Sequence, residues 1–588
     1  MDIFSILNLV GGLVLFLYGM DLMGDSLKKL AGGKLESILA KLTSNRFKGF
    51  LLGFVVTAII QSSSATTVML VGFVNSGIMK LGQTISIIMG ANIGTTVTSW
   101  LLSTAAIDGT GSVIMKLLKP ESFTPVLAVV GFIMIAMAKN DKKKHTGSIL
   151  IGFAILMFGM EAMGGAVEGL KDNPTFTNLL TMFSNNPVMG ILVGTIFTAI
   201  IQSSSASVGV LQALSLSCIV PYSTAIPVVL GMNIGTTITT IISSISGNTD
   251  SKRVAFSCLY IKMLGVVVVS GIFYALNAFV GFEFLGSRAT AFNIAVVHTL
   301  FNIVSTVILL PFCSVIEKLA LKTIKSKKED EEEMDVFSVL DERFLAMPSF
   351  AVEKSKELVC EMAHISNESF VIATELLSKF DDSAFEKVKK LETRVDKYED
   401  KISTYLVKVA EKQVAASESR IVTELLHCIG DIERISDHAL NIAEVAEEIH
   451  EKKIDFSEKA KADIKIITDA VSEVLGIAIS SLVNDDLDAA RRVEPLEQVI
   501  DNLKRKIKNG HISRLRQGDC TMELGFILSD LLTNYERIAD HCSNIAVCFL
   551  EMSHDSFETH EYLNNLKSSD EAEFKELYQQ YKLKYNME

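Results

Sequence analysis

Two short polar runs interrupt long apolar stretches of this chain: Gln61-Ser62-Ser63-Ser64 and Gln202-Ser203-Ser204-Ser205. Each has apolar arms of about 13–15 residues, or about 20–22 Å of helix, too short to cross a ~30 Å hydrocarbon core. The segments 49–79 and 190–220 therefore read as re-entrant hairpins whose tips stop near the membrane midplane. Irregular backbone at that depth is tolerated only where protein or a water-filled cavity surrounds it. The second arm of each hairpin opens on the serines, so free N–H groups and a positive dipole end face the cavity, which suits an oxyanion. Hydroxyls add donors without fixed charge, and Gln61 and Gln202 supply one amide at each tip. A tetrahedral anion offers several acceptors, so two converging tips can surround it. The carbonyls that end the first arms suit sodium, a hard cation. Serines of one isolated run would more simply pack helices or bond to their own backbone; the inverted pair favours a site.

The elements around these tips repeat. Thr57 through Ala65 recurs as Thr198 through Ala206, and Asn92-Ile93-Gly94-Thr95-Thr96 recurs as Asn233-Ile234-Gly235-Thr236-Thr237, both at an offset of 141 residues. Gly19-Met20-Asp21 recurs as Gly159-Met160-Glu161. Apolar stretches near 5–23, 83–103, 112–138, 147–166, 224–246, 254–280 and 289–315 are each long enough to cross a bilayer. Lys28, Lys29, Lys34, Lys41, Arg46 and Lys48 precede the first hairpin, whereas Lys171 stands beside Glu168 and Asp172 before the second. By the positive-inside rule the first loop is cytoplasmic and the second external. Lys142–Lys144, Lys252-Arg253 and the 318–328 lysines then fall inside, with the N-terminus outside and residue 329 onward inside. The halves are inverted repeats, expected over 1–145 and 146–317. Lys262 stands about eight residues into an apolar run, about 12 Å deep. An intramembrane cation is a functional-site candidate, although a lysine stem can also snorkel to the interface.

Composition divides the 588 residues in two: apolar runs dominate 1–315, and most of the net charge of −13 lies beyond 329. That acidity argues against a nucleic-acid partner, which needs a clustered basic footprint. The eight cysteines are scattered and read as reduced packing residues. No nucleophile–base arrangement, P-loop or zinc signature is present, so no enzyme is expected. A charged linker at 318–340 leads to a second duplication within 341–588. Leu391–Asp396 matches Leu496–Asp501, and Asp431–His438 matches Asn534–His541. Helical periodicity there predicts two three-helix units side by side. The fold class is thus all-α: a polytopic membrane protein of two inverted repeats with re-entrant hairpins, plus a cytoplasmic pair of three-helix bundles. Glu392/Asp396, Glu433/Asp437, Glu497/Asp501 and Glu536/Asp540 are i, i+4 pairs, each on one helix face. They would gather into carboxylate patches, or remain solvated faces paired with Arg434 and Arg537. His438 and His541 read as local structure rather than ligands.

The duplicated Gln-Ser-Ser-Ser hairpins resemble the type II sodium/phosphate cotransporters, and the Asn-Ile-Gly-Thr-Thr segments resemble their bacterial members. The resemblance implies sodium-coupled symport of inorganic phosphate across a bacterial plasma membrane. It places Gln61, Ser62, Ser63, Ser64, Gln202, Ser203, Ser204 and Ser205 at the substrate and sodium site, with Thr66, Thr67 and Ser207 behind them. Asn92, Thr95, Thr96, Asn233, Thr236 and Thr237 are candidates to line the pathway; small polar packing explains them equally well. Related sequences carry a His…Phe-Asn pattern late in each half. His298, Phe301 and Asn302 fit it, while aligning Ala255 with Ala295 sets Cys258, Ile261 and Lys262 opposite them. A cavity-facing Lys262 would stand in for a coupling cation. The soluble repeats resemble PhoU domains, which implies phosphate-linked regulation and iron, manganese, zinc or magnesium on the carboxylate pairs. Phosphate-signalling proteins or further copies of the chain are the implied protein partners. Two other readings stay open, a phosphate exporter and a membrane-tethered sensor with a vestigial core; intact tips in both halves count against the second.

Overall fold

In a computed structural model of the chain, residues 3–31, 45–104, 120–168, 186–217, 220–325, 336–412, 416–518, 520–553 and 571–587 are described. Lys34, Lys41, Lys171 and Asp172 of the charge pattern lie outside them, as do 112–119 of the third expected crossing and 326–335 of the linker. The chain divides into two compact units, Met1–Met347 and Pro348–Glu588. Among the described residues both are helical, without a named strand.

In the first unit α1 (Ile3–Ala31) is followed by α2 (Arg46–Ile60), α3 (Ser63–Asn75), α4 (Leu81–Gly94), α5 (Thr96–Ser103) and α6 (Pro120–Met137). The second half runs through α7 (Asp141–Val167), α8 (Pro187–Ile201), α9 (Ser204–Ser217), α10 (Tyr222–Gly235) and α11 (Thr237–Ser244). It closes with α12 (Thr249–Val280), α13 (Ala291–Leu309) and α14 (Cys313–Thr323). Six of the described helical runs here are long and apolar enough to cross a membrane; α6 is shorter. The stretches 83–103 and 224–246 each break in the middle, at Thr95 and Thr236. Threonine hydroxyls there bond back to carbonyls of their own helix, Thr95 to Ala91 and Thr236 to Asn233, a habit that bends helices.

Glycines set the spacing. A Cβ on Gly53 would lie 2.1 Å from the Ile87 carbonyl oxygen, and one on Gly194 would lie 2.2 Å from that of Val228. So α2 lies backbone to backbone on α4, and α8 does the same on α10, the close approach that small residues allow between membrane helices. Much of the packing follows the repeat: α1 pairs with α7, and α12 rests on α11 as α13 rests on α5. Beyond α14, Phe344 is fully buried against Phe73 (ring centroids 5.5 Å), and Asn75 Nδ2 donates to Asp341 (2.8 Å). Residues 341–347, which the charge pattern assigns to the soluble domain, thus pack on α3.

The second unit contains α15 (Pro348–Leu376), α16 (Asp382–Ala410), α17 (Ala416–Lys452), α18 (Glu458–Asn484), α19 (Val493–Gln517), α20 (Met522–Ser553) and α21 (Glu571–Lys584). The first three form one bundle and the next three another, joined along α17 and α20. By length and hydropathy α18 could also cross a membrane. Its Ile467, Val471, Val474 and Ala478 are instead buried on one face of the bundle, with Lys461, Lys465, Asp469 and Glu473 outside that stripe. The helix α21, which the repeat does not contain, packs on α19, with Asn502 donating to Tyr578 (2.9 Å).

Candidate functional site

Both polar runs fall at helix breaks. Gln61 and Gln202 end α2 and α8 in the left-handed region, φ +59° and +61°, uncommon for a residue with a side chain. Each amide N–H returns to the preceding turn, Gln61 to Thr57 and Gln202 to Thr198. The chain then reverses, and a serine caps the second arm: Ser62 Oγ accepts from Ala65 N (3.1 Å) and Ser203 Oγ from Ala206 N (3.2 Å). Each cap occupies one first-turn N–H, and the other first-turn N–H groups of α3 and α9, which lack an intrahelical partner, point out of the helix end.

The two tips meet, since Ser64 Oγ donates to the Gln202 carbonyl at 3.4 Å. Ser63, Ser204 and Ser205 are buried, and among the described residues their hydroxyls have no hydrogen-bond partner. Thr66 and Ser207 donate to Ser62 O (3.1 Å) and Ser203 O (2.8 Å), and Thr66 Oγ1 also lies 2.9 Å from Thr57 Oγ1 of α2. Thr67 Oγ1 lies 2.9 Å from Thr240 Oγ1 and so ties α3 to α11. Gln61 is buried and its Oε1 accepts from Thr98 (2.8 Å), whereas Gln202 is exposed. The two repeats are therefore not in equivalent states.

Around the tips, Thr96 and Thr237, which open α5 and α11, bond back across the breaks to the Ile93 and Ile234 carbonyls of α4 and α10, and Asn233 donates to Val229 O (3.0 Å). These contacts are those of small polar packing. Asn92 is half-buried in α4. Asn302 donates to His298 O, and His298 Nδ1 pairs with Ser99 Oγ at 2.8 Å. Lys262 is 6% exposed, its ammonium donating to Thr236 Oγ1, so its stem does not snorkel. Reasoning from the motifs missed Thr98, Ser99 and Thr240. Thr98 and Ser99 recur as Thr239 and Thr240 at the same 141-residue offset, a signal that would have found them. Gln212, which donates to the Ser99 and Ala291 carbonyls, carries no such signal. A cavity of about 430 Å³ beside α10, α12 and α13 is walled by residues such as Ile226, Leu230, Phe273 and Phe301. Its apolar walls suit no oxyanion.

In the second unit Glu392, Asp396 and Asp437 offer carboxylate oxygens within 4.8 Å of one another. Burial, then the neighbouring Asp396, raises the pKa of Glu392; burial raises that of Asp437 against the Arg434 guanidinium 3.4 Å away. Glu433 is raised by burial and by Asp437. In the second repeat Asp501 and Asp540 are likewise raised by burial and by Glu536, but Lys504 is salt-bridged to Glu536. The Glu497 carboxylate does not join a described three-carboxylate group. The donor set of the first patch, all carboxylate and partly exposed, fits a hard or borderline cation. The second patch already holds a lysine. His438 and His541 stack at 5.7 Å and bond across α17 and α20 to Asn534 (2.9 Å) and Asp431 (2.7 Å), so both are structural.

The family profile described as Na+/Pi-cotransporter matches residues 15–165 and 167–287, and that described as PhoU domain matches 359–446 and 464–548. The "Putative inorganic phosphate export protein YjbB" of Salmonella typhimurium is 22% identical, over 95% of this chain and 100% of that protein. The "Uncharacterized protein YqeW" of Bacillus subtilis is 30% identical, over 54% of this chain and 97% of that protein. The "Sodium-dependent phosphate transport protein 2A" of Rattus norvegicus is 38% identical, over 16% of this chain and 15% of that protein.

Proposed function

We infer that this chain, which belongs to the Na+/Pi-cotransporter family and carries a C-terminal PhoU domain, is a secondary carrier that couples inorganic phosphate to sodium. The observation that carries this reading is the meeting of the two tips through Ser64 and Gln202, with Ser63, Ser204 and Ser205, whose hydroxyls have no described hydrogen-bond partner, beside two helix N-termini. Phosphate takes those hydroxyls and amides as donors, and the membrane half-helices supply the dipole. No bond of the substrate is made or broken. The relative named for sodium-dependent phosphate transport supports sodium as the coupling ion. A bacterial inner membrane with the PhoU domain in the cytoplasm fits the lysine-rich loops. Labelled phosphate in proteoliposomes, followed under sodium gradients imposed in each direction, tests the coupling. Movement indifferent to sodium would remove it, and no movement would remove transport.

A second reading, net export, draws on the relative named for phosphate export that aligns over 95% of the chain. The same vesicles decide it from the gradient direction that drives net flux. For the PhoU domain, Glu392, Asp396 and Asp437 would hold a divalent or ferric ion, with Glu433 beside them. Elemental analysis should find metal in the wild type and little after Glu392→Gln with Asp437→Asn; a metal-free wild type that takes up none on titration leaves a charged face.

A further inference from the structure

We propose that Lys262 is a tethered cation, fixed at the helix break of the second repeat where the first repeat takes a mobile sodium ion. The proposal rests on the sodium reading above. Its basis is a correspondence between α12 and α13. Ser99 and Thr240 are repeat equivalents on α5 and α11; Ser99 pairs with His298 on α13, which packs on α5, and α12, which carries Cys258, packs on α11 in the same way. His298 and Cys258 are 40 residues apart, and the same offset sets Asn302 against Lys262. The shared packing of α12 on α11 and of α13 on α5 turns a weak alignment of two apolar helices into a spatial equivalence.

The two members of that pair differ in charge. The Lys262 ammonium donates to Thr236 Oγ1, where α10 gives way to α11. That break is the C-terminal, negative end of α10, and half-helix ends of this kind seat cations inside membrane carriers. Among the described residues of the first unit Lys262 is the one buried lysine, arginine or carboxylate. Its described neighbours are the Thr236 hydroxyl, the Cys258 thiol and the His298 ring, with no carboxylate. A structural ion pair therefore does not account for it. By the packing correspondence of α12 on α11 with α13 on α5, Asn302 is the residue set against Lys262 on the side of the Thr95 break, where α4 gives way to α5. A carboxamide there is neutral and can share a cation with helix carbonyls, whereas an ammonium occupies the seat itself. A side chain bonded to the helix cannot leave with the substrate, so one sodium fewer crosses with each phosphate.

Radioactive sodium bound per full-length chain, purified in detergent at saturating inorganic phosphate, reads the number of seats directly. The sodium Hill coefficient of phosphate flux in vesicles reads it again. Lys262→Asn should bind one sodium ion more than wild type and steepen the sodium dependence, and Asn302→Lys should bind one fewer. An unchanged count in folded Lys262→Asn overturns the proposal. If that variant does not fold, Asn302→Lys decides: a wild-type count there overturns it equally. Wild-type flux that ignores sodium would sink the coupling reading, whereas an extra bound sodium in Lys262→Asn would still uphold the tethered cation.

Discussion

Within each tip the serines divide the work. Ser62 and Ser203 are helix caps, while Ser63, Ser204 and Ser205 are buried without a described partner. Ser63→Ala and Ser204→Ala should each weaken phosphate binding about 10- to 100-fold, the loss of one hydrogen bond to a charged group at about 1.5–3 kcal/mol. Ser62→Ala should instead cost about 1 kcal/mol of stability as a lost cap. Labelled-phosphate binding to the purified chain, beside thermal unfolding, separates the two effects. Full binding in both Ser63→Ala and Ser204→Ala would return those serines to packing. The sequence names all of these residues but cannot sort them. Which serine caps depends on where the left-handed turn falls, and the fold sets that at Gln61 and Gln202.

Among elements, α15 and α17 enclose an ionisable group that periodicity does not reveal. Glu424, on α17, is buried near Lys356 of α15, and burial raises its pKa from 4.5 to about 7 against the lysine's pull. The folded domain therefore keeps a proton that the unfolded chain releases above pH 4.5. Stability falls as pH rises from about 4.5 to about 7 and is level beyond, by about 3 kcal/mol in all. Glu424→Gln has no proton to lose. Its advantage over wild type should grow from near zero at pH 4.5 to about 3 kcal/mol at pH 8, read by urea unfolding of residues 348–588. A pH-independent difference would show that Glu424 titrates normally. Helices were otherwise legible one by one, except that Thr95 and Thr236 divide stretches whose hydropathy runs on without a break.

At the scale of the molecule, the segment before the PhoU domain belongs to the membrane unit. Asn75, at the end of α3, accepts from Asn248 N (2.9 Å) and Ser251 Oγ (3.2 Å) while donating to Asp341 (2.8 Å). A Cβ on Gly72 would lie 2.8 Å from the Phe344 ring, so the glycine makes room for the aromatic plug. The plug fastens the end of the first hairpin to the chain that leads into α15. Phe344→Ala should cost about 3–5 kcal/mol of this local packing. Amide exchange across 336–347 should then accelerate by at least about 100-fold at constant exchange across α15, given that each 1.4 kcal/mol is a factor of ten. Unaltered exchange there would mean that Phe344 holds nothing in place.

By itself the sequence determined the class of the molecule, because hydropathy, lysine placement and the 141-residue repeat are local or translational properties of the chain. It also located the helix breaks at Gln61 and Gln202, since a polar run there interrupts two apolar arms. Tertiary structure alone decided what faces what. Repeat identity cannot say that Gln61 is buried and Gln202 exposed, because identical motifs sit in unlike surroundings once the halves interlock. Nor can four matching Glu/Asp pairs tell that three carboxylates converge at Glu392, Asp396 and Asp437 while Lys504 reaches Glu536. Lys262 is the sharpest case: its depth was legible from its place in an apolar run, but a lysine stem can point either way along a helix. Only the packing of α12 against the Thr236 break turns the ammonium inward.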